Sequence, residues 1–98
     1  MTHSNEARCA DLITETTRLR MAIDECEQVD GHQARLDAAR LWVQYHRACV
    51  ELLALTPAHD KDAATRQKRT ADEHQALQDQ WRAALARLEE EGEGASSA

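Results

Sequence analysis

Five histidines and three cysteines are the residues of this 98-residue chain best equipped for chemistry. A helical zinc site needs two imidazoles one turn apart, and no H-x-x-x-H occurs. His3 lies near the start of the chain, and His32 and His59 stand beside turn signals. His46 and His74 fall on apolar helix faces, where a packed histidine is the plain reading. Cys9, Cys26 and Cys49 form no C-x-x-C pair, and a buried free cysteine behaves as a small hydrophobe. Asp24, Glu25 and Glu27 cluster on a polar face, with no apolar neighbour to raise a carboxyl pKa for general acid work. E-x-x-H, a glycine-rich phosphate loop and G-x-S-x-G are all missing. The expectation is a non-enzyme with no catalytic residue, no cofactor and no metal.

Lys61, Arg66, Lys68 and Arg69 form the one basic cluster. Asp60 and Asp62 dilute it, and no aromatic residue is interleaved for base stacking. The chain as a whole carries a net charge of −6, concentrated in residues 1–31 and in the last ten. A nucleic-acid-binding regulator using residues 61–69 is therefore the alternative reading rather than the first. Leu19-Arg20-Met21-Ala22-Ile23-Asp24 resembles the opening L-R-x-x-I-D of the all-helical chorismate mutases. That resemblance would imply an unbroken first helix with a second arginine further on. Here Asp30-Gly31 interrupts the helix, and Asp37 stands where that arginine would fall.

The elements that carry these residues are helices. Ala, Arg, Glu, Gln and Leu dominate, whereas β-branched residues are sparse and phenylalanine is missing. A first helix is predicted over about 5–28, capped by Ser4, with a heptad-spaced seam of Cys9, Leu12, Thr16, Leu19, Ile23 and Cys26. Asp30-Gly31 predicts a tight turn, with Asp30 as N-cap and Gln33 reaching back to it. The second helix, about 32–55, carries its polar residues on one narrow stripe and is otherwise apolar apart from Arg35 and His46, so it should be central. Thr56-Pro57 ends it.

Residues 57–70 read either as a polar connector or as an extension of the third helix, because no side chain bulkier than Ala marks an apolar face. Thr70-Ala71-Asp72-Glu73 matches a capping box and predicts a well-packed helix over about 71–91. Its seam would hold His74, Leu77, Trp81, Ala84, Leu85 and Leu88. With a connector at 57–70, His46 would lie opposite Gln80. Residues 92–98 are small and polar and read as a disordered tail.

The fold class is therefore all-α: an antiparallel three-helix bundle, occupying residues 1–91 as one domain. An odd cysteine count and the lack of an apolar leader predict a cytoplasmic protein. No apolar run is long enough for a membrane span. Elimination leaves a protein–protein interaction module: an adaptor, chaperone, assembly factor or inhibitor of another protein, of the kind phages and mobile elements encode. Two thin neighbouring stripes are too narrow to cover so apolar a second helix. Leu36, Trp42, Val43, His46, Val50 and Leu53 are thus the candidate interface, with a second copy of the chain as the expected partner.

Overall fold

Leu12, Leu19 and Ile23 lie on one side of the first helix, and the protein buries all three, to 1%, 6% and 0% exposure. Cys9, Thr16 and Cys26 are half-buried beside them, so the heptad seam faces the core as its spacing predicts. The computed structural model describes the backbone of residues 2–97 and the side chains of residues 5–92. It contains three helices: α1 (Thr2–Glu27), α2 (His32–Leu55) and α3 (Lys61–Ser97). No strand occurs among the described residues. The molecule measures 56 × 23 × 22 Å. Its two short axes are nearly equal, so the helices form a triangular bundle, not a flat row. α1 and α3 each pack along α2, and their backbones come into contact nowhere among the described residues. α2 is the central element, as its apolar circumference predicts.

The turns differ from expectation in detail. α1 closes with tightened hydrogen bonds, Gln28 N–H to Glu25 O and Val29 N–H to Cys26 O, both 3.2 Å. The N-cap of α2 is Gly31, not Asp30, and no side chain caps this helix. Gly31 has φ 125°, a backbone state that glycine adopts without a Cβ penalty. This turn brings α2 in directly behind α1 and leaves Asp30 outside the cap. Gln33 donates instead to Asp37 Oδ1 at 2.9 Å, one turn along its own helix. Ser4 is not a cap either, since α1 already runs from Thr2.

At the other end, Thr56 is extended, and its N–H and hydroxyl both donate to Leu52 O, at 3.0 and 2.7 Å. α3 then starts at Lys61, later than Pro57 and well before Thr70. Asp60 is the reason. Its Oδ1 accepts the Ala63 N–H at 2.7 Å, and its carbonyl accepts the Ala64 N–H at 3.0 Å. The Thr70 hydroxyl donates back to Arg66 O at 2.9 Å, so the 70–73 capping-box pattern lies unused inside a helix. An amide docks this polar stretch. Gln67 Nε2 donates to Thr56 O at 2.9 Å and to Leu53 O at 3.4 Å, serving carbonyls that the end of α2 leaves without partners.

α3 follows a strict heptad rhythm through Gln67, Ala71, His74, Gln78, Trp81, Leu85, Leu88 and Gly92, all buried or half-buried. Gln78 takes the seam position expected of Leu77: Gln78 is 3% exposed and Leu77 38%. Gly92 packs on His32, where an added Cβ would lie 2.7 Å from the imidazole Nε2. The tail expected at 92–98 falls, from residue 93 on, on side chains outside the described residues.

Burial separates two apolar truncations. Ile23→Ala, at 0% exposure, should cost about 2–5 kcal/mol of stability. Leu77→Ala should cost under about 1 kcal/mol, because that side chain already meets water. Urea unfolding of the two variants checks this; equal midpoints would contradict the packing described.

Candidate functional site

Trp42 is where the three helices meet. Trp81 of α3 stacks on it, with ring centroids 5.6 Å apart and planes 9° from parallel. His46, one turn along α2, lies 5.4 Å away at 15°. The guanidinium of Arg20 on α1 sits over the Trp42 ring, 4.7 Å from its centroid. His46 Nδ1 in turn meets His74 Nδ1 at 2.9 Å. One ring must donate and the other accept, so the pair holds together only while at least one imidazole is neutral. His46 faces His74 and not Gln80 because α3 begins at Lys61: a shorter link slides α3 along α2. His46 is 5% exposed. Burial, then the neighbouring His74, then Arg20 push its pKa below the ordinary 6.5.

A second feature lies beside this stack. Residues of all three helices line a cleft of about 580 Å³, among them Arg8, Arg47, Gln78 and Arg82. Arg8 forks onto Glu51, its Nε and Nη2 donating to the two carboxylate oxygens at 3.0 and 2.8 Å. That hydrogen bond holds the Glu51 carboxyl below the usual carboxylate range. Neither Arg47 nor Arg82 has a carboxylate within salt-bridge distance among the described residues. Gln78 is buried at the wall of this cleft. Sequence reading passed over Gln78; the signal available was the heptad step from His74 to Trp81, which runs through it.

The six residues expected to form an interface are less open than α2's composition implied. Leu36 and His46 are buried, and Trp42, Val43, Val50 and Leu53 are half-buried. The long α3 is the cause. Its first turns face Val50 and Leu53 across a shallow pocket lined by Ala64, Gln67 and Ala71, and Gln67 reaches the Leu53 carbonyl. The large apolar side chains that are exposed sit elsewhere: Ile13 at 55%, Met21 at 61%, Val29 at 60% and Leu77 at 38%.

Lys61, Arg66, Lys68 and Arg69 are all exposed on the first turns of α3, and at ~100° per residue they fan over nearly half its circumference. Asp72 and Glu73 share the surface of Lys68 and Arg69. All three cysteines are free, and burial pushes the Cys49 thiol up, away from the reactive thiolate. No cluster of three or more potential metal ligands occurs among the described residues. No helix among them is long and apolar enough to cross a membrane.

Compared with family models, curated proteins and solved structures, the chain matches none. The segment resembling chorismate mutases serves packing here: Leu19 and Ile23 are core, and Arg20 covers Trp42 and lies 3.7 Å from Asp24.

The imidazole pair carries a pH dependence whose sign is determined. His46 has a lower pKa folded than unfolded, so the unfolded chain binds more protons in that range. The stability tied to neutral His46 is complete above the unfolded value of 6.5 and is lost as pH falls below it. Denaturation midpoints measured from pH 7.5 to 5 should drop on acidification, and His46→Gln should flatten that drop. An equally steep drop in the variant would assign the effect to other groups.

Proposed function

We propose that the chain is a non-enzymatic protein–protein interaction module whose docking surface is the outward face of α1, and that this face pairs with a second copy of the chain. The observation that carries the reading is the exposure of Ile13 and Met21, at 55% and 61%, on a helix whose opposite side is fully used in the core. At ~100° per residue, Ala10, Ile13, Thr14, Thr17 and Met21 fall within an arc of about 100° that holds no charge between residues 10 and 21, with Glu6 and Asp24 bounding it at its two ends. The threonines do not make this stripe polar. Thr14 and Thr17 turn their hydroxyls back onto Ala10 O and Ile13 O, at 3.1 and 2.9 Å, which satisfies them within the helix.

The order of the stripe favours self-pairing. Ile13 and Met21 stand four residues either side of Thr17. A two-fold axis at Thr17 would set Ile13 of one copy against Met21 of the other, twice over. One self-complementary patch then serves both chains. Adaptor, chaperone, assembly-factor and inhibitor roles all suit a helix surface of this kind, in the cytoplasm or elsewhere. The basic segment 61–69 gives less support to nucleic-acid binding, because its cations fan apart and acidic side chains stand among them.

Light scattering after size exclusion tests the pairing. A dimer is expected at about 100 μM chain. Ile13→Glu and Met21→Glu should each give a monomer, with the thermal midpoint that the wild type shows once diluted to a monomer, since both side chains are exposed. A wild-type monomer at that concentration, or a dimer that both variants leave intact, would overturn the assignment.

A further inference from the structure

α3 leans on α2 and makes no backbone contact with α1 among the described residues, so it can leave without undoing the core of Leu12, Leu19 and Ile23. At one end Gln67 clamps α3 to the carbonyls of Leu53 and Thr56. At the other, Leu85 and Leu88 are only half-buried, Arg40 lies 3.9 Å from Glu89, and Gly92 packs on His32. Between them stand the Trp42–Trp81 stack and the His46–His74 pair. Imidazoles are the side chains that change charge just below neutrality.

The pair is built for one arrangement. Its facing Nδ1 atoms are 2.9 Å apart and its ring centroids 5.1 Å, so the nitrogens meet nearly head-on, as an N–H···N hydrogen bond requires. One added proton leaves that bond intact, an imidazolium donating to a neutral ring. A second leaves two donors face to face with no acceptor. The surroundings do not offset two charges. From α1 the facing group is Arg20, itself a cation, with Asp24 3.7 Å from it on the same helix. From α2, Tyr45 stands edge-on to both imidazoles with Cys49 beside it, and burial keeps that phenol and thiol neutral. No carboxylate lies within salt-bridge distance of either ring among the described residues.

We propose that the His46–His74 pair is an acid-operated latch: its second proton releases α3, which swings outward about the Gln67 clamp while α1 and α2 stay packed. His46 is 5% exposed and meets water only when α3 leaves. Its lowered pKa has the matching sign, since the open arrangement binds a proton that the closed one disfavours, and opening belongs below pH 6.5. The closed pair admits one proton and the open pair two, so the ratio of open to closed chains rises about tenfold per pH unit of acidification. The latch is separate from the α1 stripe: it changes how α2 is covered and leaves Ile13 and Met21 where they are.

NMR spectra from pH 7.5 to 5 read the two halves of the bundle separately. The Trp81 indole and Leu88 methyl signals should move as the pH falls, while the methyls of Ile23, at 0% exposure, and the Gln67 side-chain amide hold their positions. His46→Gln should stay closed over the whole range, because the glutamine Oε1 accepts from a protonated His74. Arg20→Gln, at an exposed position, removes the facing cation and should move the midpoint of opening to lower pH. His32→Gln should leave that midpoint unchanged. Movement of the Ile23 and Trp81 signals together would be global unfolding and would overturn the latch. So would a Trp81 signal that stays fixed down to pH 5, an unaltered transition in His46→Gln or Arg20→Gln, or its loss in His32→Gln.

Discussion

The register of α3 on α2 is the constraint on which the rest of the structure depends. Asp60 sets where α3 starts, and Gln67 clamps its second turn to the carbonyls at the end of α2. From that point each heptad step is determined. His74 arrives at His46, Trp81 at Trp42 and Gly92 at His32. A slip of one helical turn would move every one of these partners by about 5.4 Å. The imidazoles would part, and the indoles would lose their stack. Short polar contacts at the helix ends thus align a seam whose middle is aromatic.

That seam has an uneven character. Its lower part, through Leu85 and Leu88, is ordinary aliphatic packing, whereas its middle combines two tryptophans, two histidines and an arginine. Ring stacking and the guanidinium contact stabilise such a cluster by directional terms of about 0.5–1.5 kcal/mol each. They also leave buried polar atoms to account for. His32 Nε2 and Trp42 Nε1 are withdrawn from solvent without a hydrogen-bond partner among the described residues. The small residues Ala38, Ala39 and Ala48 are buried on α2 and let its neighbours approach. A chain with so little aliphatic bulk obtains its core from close helix contact and flat rings, not from large side chains.

The same economy shapes the outside of the bundle. Because α1 and α3 lean on α2 and not on each other, space remains between them, and long polar side chains line it. Because α1 needs only one face for the core, its other face is free to carry an uncharged stripe. Neither feature competes with the packing of the core.

Much of the fold was legible in the residues alone. The 3–4 spacing of Leu12, Leu19 and Ile23, the glycine at 31 and the Thr56-Pro57 break specify helices, turns and an antiparallel order through local chemistry, and α2 is central because only its circumference is broadly apolar. The polar stretch 61–70 was not legible as part of a docked helix, since what holds it is an amide reaching carbonyls eleven and fourteen residues away. The half-burial of Val50 and Leu53 goes with that, because the first turns of α3 stand across from them. The cleft was hidden for a related reason. Arg8, Arg47, Gln78 and Arg82 lie on three helices and share no spacing in the chain, so only the packing of the helices brings them to one place. Periodicity reports which face of a helix is apolar. It does not report register, and register decides which polar side chains meet.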